Sequence, residues 1–333
     1  MPDKPLRRGA GAVPVMDRSV YKRFPPQVLS AAEQYTASDG SDDWVLTAVP
    51  SLPGRVRCGM RAVRAAAAGL LSEGCMPAVF RPVFLMPEGA AESALRELSD
   101  EVGRACLEEG MRIEGAHLEV TGAVSIPVTV GAAMGRRLPE QAGRAPEKTG
   151  EGRARGRAVV MTGYAAAEAA WLIALERPEE MEKRFPLSFA ARCRRMGEAL
   201  SVRKAALCGW DSGCETMVSA GAGGVYAALW ELSARCGRGL RIETDKVPVL
   251  QEGIEIAEFY DFDPFAAASG GCLFMVTGDP EKMLAGLSRE GIPASVIGST
   301  DDTKACRLVH GEETRYLDLP PADAVLKVLE RQS

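Results

Sequence analysis

An α+β protein in two domains is the fold class this sequence predicts, and three observations predict it. Some segments carry apolar residues at helical spacing and others carry short alternating or continuous apolar runs, and the two kinds succeed one another along the chain. A stretch at 136–157 has no large aliphatic residue after Leu138 and interrupts that succession. The length of 333 residues exceeds what one core comfortably organises, so two units of roughly 150 residues are expected.

The elements follow in order. Residues 1–16 are rich in Pro, Gly and Arg and read as a flexible tail. Val56, Met60, Val63, Ala67 and Leu70 have helical spacing, with Gly74 as a stop. "AVFRPVFLMP" (78–87) switches to a strand-like run. Leu95, Leu98, Val102, Cys106 and Leu107 form a second helical stripe closed by Gly110, and 111–120 alternates. "SIPVTVGAAMG" (125–135) completes a first domain at 17–135, a sheet with helices on one face. Residues 136–156 read as a linker; seven Lys or Arg in 136–157 could make a basic patch, but a solvated connection accounts for them better.

A second domain, 157–328, opens with a strand at 157–163 and an Ala-rich helix at 165–176, and a further helix is expected around 187–206. Val225, Ala228, Leu229 and Leu232 form the buried stripe of a helix ended by Gly237 and Gly239. "LRIETDKVPV" returns as strand and turn, and 271–298 reads strand, helix, strand, with Pro280 at the helix start and Gly291 past its end. This is an α+β half of the split-βαβ kind.

Composition excludes several functions. The chain is 46% hydrophobic and 26% charged with net charge −5, so no global charge attracts nucleic acid or an anionic membrane. No run of 18 apolar residues could span a bilayer, and the N-terminus lacks the apolar core of a signal peptide. Nine scattered Cys without a CxxC pair suit a reduced, cytoplasmic protein, and two His rule out a His-rich metal centre. Cys208 and Cys214 flank "GWDSG", where small buried hydrophobes are a better reading than a thiol site.

The stretch "MVSAGAGGVYAALWE" (217–231) is the most informative. A Gly-rich turn opening a helix usually cradles an anion on its backbone N–H groups. Such turns normally carry a charged or hydroxyl residue as well, and this one has only Ser219.

The order of segments resembles the AIR synthase (PurM-like) superfamily, which includes aminoimidazole ribonucleotide synthase, selenophosphate synthetase and thiamine-monophosphate kinase, and most of all its branch around the hydrogenase maturation factor HypE. The stretch from "GGVYAALWELSARCGRGLRIETDKVPV" to "FDPFAAASGGCLFMVTG", then "LSREGIPASVIG", carries it best. "RSVYKRF", the segment at 86–121 and "MTGYAAAEAAWLIALE" extend it over roughly 17–328. The resemblance implies that two N-terminal sheets pair into a dimeric barrel, with ATP and Mg²⁺ in the cleft between domains. It also implies phosphorylation of an amide or carbonyl oxygen, which needs carboxylates to hold the metal.

Those carboxylates are replaced. Gln34 stands for the Asp of "GEDxA", Val49 for that of "TTDP", and Ala68 and Gly69 for the pair of "NDxAAxGA". "GGHTEV" is "GAHLEV", keeping His117 and Glu119 on one face of a strand as candidate catalytic survivors. "TKWxGLEG" is "TGYAAAEA", keeping Glu168 and losing the Lys to Gly163. In "MHDxTEGG", Ser219, Gly221 and Ala222 replace Asp, Thr and Glu, while Gly223 and Gly224 survive. The cofactor-binding positions are thus Gln34, Gly69, Glu168, Ser219, Gly223 and Gly224, mostly substituted, and no metal ligand is assigned.

Three readings stand at this point. The first is a degenerate, non-catalytic binding, scaffold or regulatory paralogue, a pseudoenzyme, as a homodimer or as a heterodimer with a related paralogue. The second is an ATP-dependent enzyme of the AIR synthase or hydrogenase maturation class with relocated ligands. A third, weaker reading is a module holding an anionic partner on 136–157. A small anion or nucleotide is the expected ligand; nucleic acid and membrane are not expected partners.

Overall fold

The computed structural model describes residues 36–38, 44–50, 56–139, 156–317 and 319–330, with only the backbone described at 36–38 and 44–50. Two layered halves emerge, each a mixed sheet carrying helices, as the alternating periodicities predict. The tail at 1–16, Gln34 and most of the 136–156 segment lie outside the described residues.

The first sheet has the order β1-β2-β6-β3-β4, with β5 also on β3. Its strands are β1 (Thr36–Ser38), β2 (Trp44–Pro50), β3 (Cys75–Met86), β4 (Arg112–Ile113), β5 (His117–Val120) and β6 (Val128–Arg137). Helices α1 (Cys58–Ser72) and α2 (Glu92–Glu109) cover one face, because Phe80, Phe84 and Ala133 point there and meet Val63, Leu70, Leu98 and Val102. Leu107 departs from the expected stripe: it is 81% exposed, and Ala105 and Glu109 face inward instead. β6 runs through Arg137, two residues into the segment read as linker.

Among the described residues no helix covers the other face of this sheet. In register there, Val79 pairs Met134, Val83 pairs Val130 and Leu85 pairs Val128. These side chains are half-buried, and Met134 is 39% exposed.

The second sheet has the order β13-β12-β9-β11-β7-β10-β8. Its strands are β7 (Ala158–Thr162), β8 (Cys214–Ser219), β9 (Gly239–Glu243), β10 (Leu273–Thr277), β11 (Ala294–Asp301), β12 (Cys306–His310) and β13 (Glu313–Tyr316). β10 is buried on both faces: Phe274 and Val276 join one cluster, and Leu273 and Met275 another.

Helices α3 (Ala167–Glu176), α4 (Pro178–Arg184), α5 (Leu187–Arg195), α6 (Arg203–Asp211), α7 (Gly224–Cys236), α8 (Gln251–Tyr260), α9 (Pro280–Arg289) and the short α10 (Leu326–Leu329) complete this half. The single helix expected at 187–206 is two helices separated by a 3-10 turn at Met196–Ala199. Gly197 sits in that turn against Trp171, whose ring a Cβ would meet at 2.4 Å. Gly237 ends α7 in the left-handed conformation, whereas Gly239 already begins β9. α8 had no counterpart among the expected elements.

The halves are joined along α1. Ala68 and Leu71 enter the apolar cluster of the second half with Val160, Met217 and Met275. The Trp210 indole donates to Leu71 O at 2.8 Å, the Arg203 guanidinium donates to Glu109 O, and Glu73 pairs with Arg235. Val56 N donates to the Glu176 carboxylate at 2.8 Å. Backbone and charge thus stitch a joint whose centre is apolar.

Candidate functional site

The Gly-rich turn forms between β8 and α7. Gly223 and Gly224 take φ of 78° and 62°, a left-handed pair that reverses the chain and starts the helix. Gly224 lies so close to residues 265–267 that a Cβ would meet Ala267 O at 2.3 Å. The turn is therefore held from behind by the small-residue loop "AAASGG" (266–271).

That loop is the hub of the site. Ser269 N donates to Gly221 O at 3.2 Å, and Ala166 N donates to Ser269 Oγ at 2.9 Å. Gly270 N donates to Glu168 Oε2 at 2.8 Å. Turn, loop and the start of α3 form one hydrogen-bonded unit. Ala166 has φ 57°, a left-handed position that side chains rarely adopt, where the motif "TKWxGLEG" places a Gly.

Glu168 also receives a partner from the first half. Arg61 Nε on α1 lies 3.3 Å from Glu168 Oε1, with side chains 3% and 8% exposed. A buried charge is tolerated when paired and hydrogen-bonded, and Arg61 with Gly270 N supplies both conditions.

The anion at the turn comes from the chain itself. Asp323, 4% exposed and just ahead of α10, accepts from Gly223 N through Oδ2 at 2.9 Å. Its Oδ1 accepts from Val325 N at 2.9 Å and Ala268 N at 3.2 Å. Burial pushes the Asp323 carboxyl up to about 6, against the pull of these N–H groups.

The remaining expected site residues are dispersed. Ser219 is half-buried at the end of β8, paired in register with Leu273. Gly69 lies in α1, between buried Ala68 and Leu70. Val49 falls in β2 in register with Gly131, and Gln34 lies outside the described residues. His117 and Glu119 share the face of the first sheet opposite α1 and α2, in register with Val83 and Leu85. They are 60% and 59% exposed with 3.6 Å between Nε2 and Oε2, a solvent-facing pair. All nine cysteines are free thiols; Cys214 is buried and Cys208 partly so. Among the described residues no three His, Cys, Asp or Glu side chains cluster so as to hold a metal ion. No helix among them is long and apolar enough to cross a membrane.

Sequence reading missed Asp323, Arg61 and the 266–271 loop. The loop had a signal: a run of Ala, Ser and Gly allows close backbone approach. Arg61 and Asp323 had none, since a lone Arg in a helix and a lone Asp near a C-terminus usually face solvent.

Residues 171–311 match the family described as AIR synthase related protein, C-terminal domain. Among solved structures, the hydrogenase maturation protein HypE of E. coli is 21% identical, with 85% of this chain and 88% of that chain covered and a TM-score of 0.68. HypE in complex with ATP is 17% identical over 94% of this chain and 96% of that one, at 0.68. Thiamine monophosphate kinase from Aquifex aeolicus is 17% identical over 84% and 94%, at 0.60. No curated protein matches the chain by sequence at a significant level. The chain shares the fold of these proteins across both halves, the PurM-like fold that the resemblance implied.

Proposed function

We propose that this chain is a non-catalytic AIR synthase-related protein, a binding, scaffold or regulatory paralogue in which the nucleotide cleft has become a packed joint. The observation that carries this reading is the engagement of Glu168, the one acid retained among the motif positions of the second half. It is buried and paired with Arg61 of the first half. Mg²⁺ needs several oxygen ligands that can also bridge phosphates. Gly69 and Ser219 offer no carboxylate, Ala68 is packed into an apolar cluster, and Glu168 is already paired. These residues do not fit the Mg-ATP that the resemblance implies.

Calorimetric titration with Mg-ATP tests the reading. The expected result is no saturable heat up to millimolar nucleotide and no Mg²⁺-dependent hydrolysis, since phosphoryl transfer depends on positioning and charge neutralisation. A variant carrying Gln34→Asp, Val49→Asp, Gly69→Asp and Ser219→Asp should gain measurable Mg-ATP affinity. Turnover by the wild type, abolished by His117→Ala or Glu119→Ala, would overturn the reading in favour of an ATP-dependent enzyme.

The face of the first sheet opposite α1 and α2 supports a dimer. Apolar side chains from β3 and β6 line it, and such a face is normally covered. Light scattering should give twice the 35.5 kDa chain mass at micromolar concentration, through a second copy. A monomer would leave only a heterodimer with a related chain. Free cysteines throughout suit a reducing, cytoplasmic setting for this assembly.

A further inference from the structure

We propose that the C-terminal segment around Asp323 is an autoinhibitory plug, its carboxylate filling the anion position of the Gly-rich turn and excluding a phosphate-bearing ligand. The proposal is independent of whether Mg-ATP chemistry has been lost. It concerns the backbone of the turn, not the metal ligands.

Three features carry it. First, the contact is aimed: one buried carboxylate binds N–H groups from three separate segments, at Gly223, Ala268 and Val325. Gly223 N belongs to the turn that starts a helix of 13 residues, where partial positive charge favours an anion. A carboxylate oxygen and a phosphate oxygen make the same demand on that N–H.

Second, the plug is supplied by a separate stretch of chain, 100 residues from the turn in sequence. It docks as a short unit on the apolar cluster of α3 and α8. Ala324 N donates to Ala266 O at 3.0 Å, Val325 and Val328 are buried, and Arg177 donates to Val328 O at 3.1 Å. Third, there is open space at the site. A cavity of about 320 Å³ opens beside Asp323, lined by Asp263, Ala266, Pro321, Lys327 and Glu330 among others. The segment can leave without unmaking the second sheet, to which it contributes no strand.

The experiment uses the full chain as wild type, Asp323→Ala, Asp323→Asn and the exposed control Glu258→Gln. Each is titrated with inorganic phosphate, and separately with ATP in EDTA, against sodium chloride at equal ionic strength. Melting temperature and tryptic cleavage after Lys327 are followed. Asp323→Ala should melt lower than wild type and be rescued by phosphate at a concentration at least tenfold below any effect on wild type or Glu258→Gln. In the wild type, high phosphate should speed cleavage after Lys327 by displacing the plug. Equal action of phosphate and metal-free ATP would assign the site to the phosphate alone, and stronger action of ATP to a nucleotide; both support the plug. Should Asp323→Ala not fold alone, phosphate must restore its folding or tighten Asp323→Asn. Phosphate acting on every variant no better than chloride would overturn the proposal.

Discussion

Alanine in place of Arg61 is expected to lower the free energy of unfolding by about 3–5 kcal/mol, because it leaves the Glu168 charge buried without its cation. The pair is dry, with side chains 3% and 8% exposed, so water cannot take over the role of the guanidinium. Gly270 N alone would remain on the carboxylate. Arg61→Met combined with Glu168→Gln should recover most of the loss, since removing both charges removes the desolvation penalty with the attraction. Denaturant unfolding of Arg61→Met, Glu168→Gln and the double variant closes a cycle whose coupling term should exceed 1 kcal/mol. A loss below 1 kcal/mol for Arg61→Ala would mean that solvent reaches Glu168. The joint would then be an open cleft, and the non-catalytic reading would lose its main support.

The fold was legible where periodicity and punctuation agree. Val225, Ala228, Leu229 and Leu232 are buried as their spacing requires, and Gly237 ends their helix in the left-handed conformation. α9 begins at Pro280, and Gly291 follows its end. Legibility failed where tertiary contacts override local pattern. The spacing places Leu107 in the stripe of α2, yet it is 81% exposed while Ala105 and Glu109 take the inward positions. The helix expected at 187–206 breaks at Met196–Ala199, where Gly197 lies against Trp171. The site divides in the same way. Gly223, Gly224 and Glu168 could be found from motif spacing, being neighbours of their own helix starts. Their partners, Asp323 and Arg61, lie 100 and 107 residues away, and no local signal links such positions.

Gly224→Ala should be among the most damaging single substitutions in the chain, at roughly 2–5 kcal/mol. Left-handed backbone at φ 62° costs an alanine about 1–2 kcal/mol. Its Cβ would also meet Ala267 O at 2.3 Å, Phe265 O at 2.7 Å and Ala267 N at 3.0 Å. These are backbone atoms, which cannot swing aside as a flexible side chain would, so overpacking adds about 1–3 kcal/mol. Gly221 is the matched control, two residues ahead of the Gly pair in the same turn: its φ is not positive, and a Cβ there meets nothing within 4 Å. Gly221→Ala should therefore stay within about 0.5 kcal/mol of wild type. The comparison, read by denaturant unfolding, separates two reasons for keeping glycines in a turn that has lost its acids. Relief of the Gly224→Ala clash pushes the 265–268 backbone away and with it Ala268 N, one of the three donors to Asp323. The variant should then release the C-terminal segment and be cleaved after Lys327 faster than its stability alone requires. If Gly224→Ala instead folds as well as Gly221→Ala, packing against the loop does not explain the retained pair, and a ligand approaching the bare backbone of the turn becomes the reason for it.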